Sequence, residues 1–291
     1  MANKAQQNQP DKEMSGLSFS QLFPQSDVFS FSGEINHEAA SNWTKLIRQK
    51  ASHAENVTVF FCSCGGNPDA AFRMMRILQN VYSKITVIVF GECYSAATLF
   101  ALGADKIIMA DDAQLGPLDI QILKEDELSR ISGECFRQAL LTLNAMSNMA
   151  FCDLFKKVKG CFGFPLSTAT ASRIASEITI GLFAPITQKI EPEKLGEFVR
   201  AQAIGVHYGT RLMKERYTPL ESQNIVSRLA YSYPSHSTVI DFREAIDMGL
   251  KAEKLNEDSD MAKQLVVFRE KMLEQQKNIL MEDLTNRPIP V

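Results

Sequence analysis

The chain lacks the spacings by which sequences announce metals, nucleotides and membranes. Its six cysteines include no Cys-x-x-Cys pair. Cys62 and Cys64 are two apart at a strand end and could share a face, but no second pair completes a metal site. Reduced, partly buried thiols are the expectation, as in cytoplasmic proteins. His-Glu-x-x-His and the Gly-x-x-x-x-Gly-Lys-Ser/Thr phosphate loop are both missing, so no metal, no cofactor and no P-loop ATPase is expected. Net charge is only −3, which gives no reason to expect nucleic acid as a partner. Met1 to Met14 is polar, without the apolar core of a signal peptide. The most apolar late stretch, Ile178 to Ala184, is too short to span a bilayer, so no transmembrane segment and a cytoplasmic location are expected. Histidine is scarce as well. His37, His53, His207 and His236 are the only four, and any imidazole base must be one of them.

What is present is an ordinary globular composition, 45% hydrophobic and 22% charged over 291 residues, enough to bury a sizeable core. Residues 1–16 are rich in Gln, Asn and Lys and are expected to be disordered. The fold is expected to start near Ser26, with a strand over Val28–Ser32 that ends at Gly33. Then follow a helix over His37–His53, a strand over Val57–Cys62, a helix over Pro68–Tyr82, a strand over Ile85–Phe90, a helix over Ser95–Leu102 and a strand over Lys106–Met109. Strands rich in Val, Ile and Phe that alternate with helices predict an α/β fold with a parallel sheet. The second half reads as helical: Asp126–Met149, Ala171–Ala184 stopping at Pro185, Glu193–Met213, Phe242–Met248 capped by Gly249, and Met261–Leu280. The expected organisation is a tail over 1–16, one α/β domain over 17–255, and a C-terminal helix with a proline-containing tail over 256–291.

Two segments carry chemistry. Cys64-Gly65-Gly66-Asn67-Pro68-Asp69 follows the apolar run Val57–Phe61, and Gly91-Glu92-Cys93-Tyr94-Ser95-Ala96-Ala97 follows Ile85–Phe90. Each reads as a buried strand, a tight turn and a helix start. Such turns leave backbone N–H groups free, at the carboxyl ends of the strands where ligands bind in open α/β sheets. A serine on the neighbouring turn would add a nucleophile beside that anion cradle, the pair that acyl transfer requires. Ser95 could equally be a plain helix N-cap, and Gly65 and Gly66 plain turn glycines.

The order Gly33, Gly65-Gly66, Gly91…Ser95, Ala104-Asp105-Lys106-Ile107 and Leu115-Gly116-Pro117-Leu118-Asp119 resembles the Clp protease/crotonase-like fold, which includes signal peptide peptidase A. Leu115–Gln121, Glu191–Glu197 and Ser235-His236…Glu244-Ala245…Gly249-Leu250 are similar to the serine dehydrogenase proteinase family. The resemblance spans roughly residues 26–255. It implies a Clp/crotonase-like parallel sheet with flanking helices and a serine hydrolase, in the first instance a peptidase acting on peptides or proteins. It implies Ser95 as nucleophile, and Gly66 (or Gly65) with Ala96 as donors of the oxyanion hole. It also implies a homo-oligomer.

The base is the weak point of that reading. Clp proteases place a histidine near the segment that here reads Leu118-Asp119, and this chain has none there. His236 lies near the place of their aspartate, so the resemblance implies that acid and base are exchanged, with His236 as base and Asp119 as its support; a polar-loop histidine is the alternative. A Ser–Lys dyad as in signal peptide peptidase A would use Lys124, although Glu125, Asp126 and Glu127 beside it favour a solvated, charged lysine. Two further functions stay open. A crotonase-type enzyme would hold an acyl-CoA enolate in the same cradle, and a non-catalytic assembly protein would keep the fold without a base.

Overall fold

The computed structural model describes residues 18–118, 121–123, 130–161, 166–256, 258–274 and 279–290. Its centre is three long parallel strands, β1 (Ser26–Ser32), β2 (Asn56–Ser63) and β3 (Lys84–Cys93), buried along almost their whole length. Each is followed by a helix: α2 (His37–Gln49), α3 (Pro68–Val81) and α4 (Ala96–Ala101). A short α1 (Phe19–Leu22) precedes β1. Continuous apolar strands are the mark of a sheet covered on both faces. Here Phe60 and Phe61 show how. Adjacent strand residues point to opposite faces, and Phe61 stacks on Phe31 and Phe100 at 5.1 and 4.3 Å while Phe60 meets Phe19 and Phe268 at 5.7 and 4.9 Å. Trp43 of α2 closes the first layer and donates its indole N–H to Met74 O at 3.2 Å. Each such fully buried large side chain contributes about 1.5–3 kcal/mol.

The strands β4 (Lys106–Met109) and β5 (Gln114–Leu115) both pair parallel with β3. A hairpin of β6 (Gln121–Leu123) and β7 (Arg130–Ser132) stands apart. The helical half comprises α5 (Gly133–Cys161), α6 (Thr168–Thr187), α7 (Pro192–Met213), α8 (Pro219–Tyr231) and α9 (Phe242–Asp247). Then come β8 (Ala252–Lys254), α10 (Asp260–Glu274) and β9 (Leu280–Asp283). Among the described residues the sheet has seven strands, in the order β8-β4-β3-β2-β1-β9 with β5 beside β3, and of these only β9 runs antiparallel to its neighbour. The expected α/β fold with a parallel sheet and a helical second half is the observed one, with antiparallel β9 added at the edge.

Several boundaries differ from expectation. The ordered fold begins before Ser26, because Phe19 is buried in the aromatic layer. Pro185 does not stop α6, which runs to Thr187. A proline in the last turn removes one hydrogen bond rather than breaking a helix, and Thr187 Oγ1 donates back to Phe183 O at 3.2 Å. The expected helix over Asp126–Met149 instead starts at Gly133, directly after β7, and continues to Cys161; residues 126–129 lie outside the described residues. The helix expected to reach Leu280 is α10, whose bounds end at Glu274, and Leu280 opens β9. There β9 pairs with the outer edge of β1, whose N–H and C=O groups need partners. Helix α8 was not anticipated, although Thr218 and Glu221 form a capping box around Pro219. Helix α2 ends at Gln49, so His53 lies beyond it, hydrogen-bonded to Tyr82 OH at 3.0 Å and 3.6 Å from Asp27.

Candidate active site

The carboxyl ends of β2 and β3 carry the two turns. At the first, Gly65 and Gly66 have φ of +100° and +137°, conformations that L side chains rarely adopt. Both positions also lack room. A Cβ on Gly65 would fall 2.5 Å from Tyr94 O, and one on Gly66 would fall 2.2 Å from Ile35 O. Asn67 then caps α3, its side chain accepting from Ala70 N–H at 2.9 Å, with Pro68 in the first turn. The glycines are therefore required by geometry and not merely tolerated in a turn.

At the second turn Ser95 has φ 53° and ψ −114°. A non-glycine residue there is strained by about 1–3 kcal/mol, and such strain concentrates at functional sites. A serine forced onto a sharp strand-to-helix turn presents its hydroxyl outward. The N-cap alternative fails on geometry, because the Ser95 side chain makes no capping hydrogen bond to α4. Ser95 is half-buried, while the adjoining Ala96 is buried.

The turns touch. The Cβ position of Gly65 lies 3.2 Å from Ser95 Cβ and 3.3 Å from Ala96 N. Gly65, Gly66, Ser95 and Ala96 thus form one cluster. Its amides are not equivalent. Gly65 N–H donates to Ser63 Oγ at 3.0 Å, and Asn67 N–H donates to Ile35 O at 2.7 Å. Gly66 N–H and Ala96 N–H have no hydrogen bond among the described residues, and Gly66 is exposed. Two free donors beside a strained serine hydroxyl can hold a developing oxyanion.

Around the cluster lie residues that sequence reasoning missed. Ser63 is buried, donates its hydroxyl to Gly33 O at 2.6 Å and receives Gly65 N–H. Thr98 is buried in α4 and lies within hydrogen-bond distance of Cys93 O (2.7 Å) and Gly116 O (2.9 Å), accepting from Gly116 N–H at 3.0 Å. Tyr94 donates to Gln114 Oε1; burial and then the Glu92 charge push its phenol above the ordinary value, which keeps it a donor. The available signal was a polar residue inside or ending an otherwise apolar run. Burial pushes the Cys62 thiol up to about 12, and Cys93 is raised for the same reason. Neither is a thiolate nucleophile. Cys64 is exposed and donates to Glu92 Oε2 at 2.9 Å.

The candidate bases are less close to one another on the chain. Leu115 pairs with Cys93 and exchanges two 2.9 Å backbone hydrogen bonds with Ile240. This brings the loop after α8, with half-buried His236 in it, to the Ser95 end of the sheet. Among the described residues no hydrogen bond joins the Ser95 side chain to His236. Asp119 and Lys124 lie outside the described residues. His37 sits exposed in the first turn of α2 and His207 exposed on α7. Asp105 has a structural task, accepting from Ile85 N–H at 2.8 Å and Arg216 at 3.1 Å.

Comparison with known proteins gives one family match. Residues 35–134, which contain both turns, match the family of ClpP-like SDH-type serine proteinases. The resemblance expected from the motifs is therefore present, and it supports a serine peptidase. No curated protein matches the chain. Among solved structures, ClpP1 from Listeria monocytogenes is similar at 15% identity and TM-score 0.30, over 51% of this chain and 77% of that one. The membrane-bound stomatin-specific protease 1510-N is similar at 14% identity and TM-score 0.32, over 79% and 96%.

Proposed function

We propose that this chain, which resembles the ClpP-like SDH-type serine proteinases over residues 35–134, is a serine peptidase with Ser95 as its nucleophile. The observation that carries the reading is the contact between a strained serine and a glycine turn, with Gly66 N–H and Ala96 N–H left free beside it. In this reading Ser95 Oγ attacks the carbonyl carbon of a peptide bond, and the carbonyl oxygen becomes an anion held by those two N–H groups. His236 takes the Oγ proton and passes it to the departing amine. Water then attacks the acyl-enzyme, His236 again taking a proton, and the acid product leaves with Ser95 restored. Asp119 orients the imidazole; Lys124 is the substitute base if His236 is dispensable. The serine disfavours an acyl-CoA enolate role for the cradle, since such a role needs no nucleophile and would not explain strain at position 95.

The protein acts on peptides or proteins as a cytoplasmic homo-oligomer in this reading. Among the described residues no helix is long and apolar enough to cross a membrane. Met149 of α5 and Ile180 and Leu182 of α6 are exposed, and in this reading another copy covers them.

The test is labelling of the purified protein with a fluorophosphonate, read by mass spectrometry beside Ser95→Ala. An adduct on Ser95, absent in the variant, is expected. Loss of the adduct in His236→Ala, with Lys124→Ala still labelled, would assign the base. A folded protein with open access that takes no adduct would overturn the peptidase reading.

A further inference from the structure

Ser63 occupies an unusual position: it touches both turns of the site and the Gly33 turn that ends β1. Through its backbone it belongs to β2, where it pairs with Cys93, and its carbonyl accepts Tyr94 N–H at 3.1 Å at the entry to the Ser95 turn. Through its hydroxyl it donates to Gly33 O at 2.6 Å, at the end of β1, and accepts Gly65 N–H at 3.0 Å. It is completely buried, at the point where the β2–β3 register shifts. A hydroxyl has one donor and two acceptor sites. The Gly33 carbonyl fixes the direction of its proton, and a lone pair is then turned toward Gly65.

The consequence concerns which glycine amide faces a substrate. Two consecutive N–H groups in a Gly-Gly turn could compete for an oxyanion. Capture of the Gly65 amide by Ser63 removes one and fixes the Cys64–Gly65 peptide plane. The next plane, which carries the exposed Gly66 N–H, is held by Ile35 N–H donating to Gly65 O at 2.8 Å. Ile35 comes from the chain just after the Gly33 carbonyl that Ser63 also holds, so Gly66 N–H is presented alone. We infer that Ser63 is the positioning residue of the oxyanion hole: its buried hydroxyl locks the Gly33 and Gly65 turns together and so aims Gly66 N–H at the reacting carbonyl. The inference rests on the serine peptidase reading for its catalytic consequence. The locking itself does not.

Three variants test it: Ser63→Ala, Ser63→Thr, which keeps a hydroxyl, and Ile47→Val, a core change in α2 away from the site. Each is melted thermally and assayed below its transition for hydrolysis of an aminocoumarin peptide, and the exchange of the Gly65 amide is followed by NMR. Ser63→Ala should lower kcat by about 10–100-fold with KM changed little, because an oxyanion donor acts only in the transition state. Gly65 exchange should quicken at least about tenfold as its hydrogen bond is lost. Ser63→Thr should recover most of the kcat, and Ile47→Val should leave it intact. If Ser63→Thr does not fold, the comparison of Ser63→Ala with Ile47→Val decides. Unchanged kcat in folded Ser63→Ala, an equal fall in Ile47→Val, or unchanged Gly65 exchange would each overturn the inference. If Ser95→Ala keeps full activity, the peptidase reading fails instead, and Gly65 exchange alone decides whether Ser63 locks the turn.

Discussion

Gly65 and Ser95 stand so close that a single methyl on the glycine would lie 3.2 Å from Ser95 Cβ and 2.5 Å from the carbonyl oxygen of Tyr94. The first contact needs a small adjustment; the second is with backbone and has no cheap relief. Gly65→Ala should therefore push the two turns apart and impose strain at φ +100°. A loss of about 2–3 kcal/mol in stability is expected. Displacement of reacting groups by about 1 Å costs about 10²-fold in rate, so activity should fall by at least that much even where the variant is fully folded. Denaturant unfolding and peptide hydrolysis on the same preparation check both. Wild-type activity in Gly65→Ala would show that the contact has no bearing on catalysis.

Ser95 makes the opposite prediction. Its φ of 53° and ψ of −114° suit glycine better than serine. Ser95→Ala removes the hydroxyl and keeps the strain, whereas Ser95→Gly removes both. Glycine regains about 1–3 kcal/mol of strain and gives back about 0.5–1 kcal/mol in chain entropy. Ser95→Gly should thus be more stable than Ser95→Ala by about 1 kcal/mol, and both should be inactive. Equal melting temperatures for the two would mean that the turn is relaxed and that the serine is held there without cost.

These two residues also show what a sequence can convey. Glycine pairs and a serine directly after apolar runs announce turns at strand ends, so Gly65, Gly66 and Ser95 were legible as a group. Their contact was not, because it depends on the register of β2 against β3 and on dihedral angles that no residue type declares. Ser63 was hidden for a similar reason. A serine at the end of an apolar strand reads as the strand's limit until Gly33 and Gly65 are seen on either side of its hydroxyl. His53 reads as a helix-end cation locally, yet its partners Tyr82 and Asp27 come from other elements. Pro185 misleads in the other direction: a helix breaker reads as a stop wherever it stands, and here only Ile186 and Thr187 follow it in α6.

At high pH, stability should fall through two buried groups, Tyr82 and Cys62, and half-buried Tyr233. Burial, and then the Asp27 hydrogen bond and charge, drive the Tyr82 phenol far above its ordinary value. Burial likewise takes the Cys62 thiol and the Tyr233 phenol up to about 12. A group whose folded pKa is raised contributes stability that is complete below its unfolded value and lost as pH rises through the folded one. Unfolded Cys and Tyr release protons near about 8.5 and 10, so above about pH 9 the unfolded chain binds fewer protons and is favoured. Tyr82→Phe should flatten part of this alkaline fall. It should also cost about 1–3 kcal/mol at neutral pH, because Asp27 loses the 2.8 Å hydrogen bond from Tyr82 OH. Urea midpoints from pH 7 to pH 11 measure both effects, and an unchanged alkaline slope would remove Tyr82 from the account.

At low pH the decisive group is Asp283, on β9, which runs antiparallel to β1. Lys50 Nζ lies 3.4 Å from buried Asp27 on β1 and 2.9 Å from Asp283 on β9, and it donates to Thr285 Oγ1 at 3.1 Å. One ammonium thus joins the C-terminal end of α2 to two neighbouring strands. Burial raises the Asp283 carboxyl, but hydrogen bonds from Thr285 and Lys50 outweigh it and hold the group below its ordinary value. A carboxyl depressed in this way contributes stability above its unfolded pKa, about 3.9, and loses it as pH falls through the lower folded value. Asp283→Asn should therefore lower stability at neutral pH and flatten the curve below about pH 4. Lys50→Met should be worse than Asp283→Asn, by about 3 kcal/mol at neutral pH, because it strips a cation from buried Asp27 as well. The loss should appear first at β9: amide exchange of Leu280–Asp283 should quicken before that of β2 or β3. If Lys50→Met and Asp283→Asn prove equally stable, Asp27 is satisfied by Tyr82 and Ala54 N–H alone, and Lys50 serves only to fasten β9.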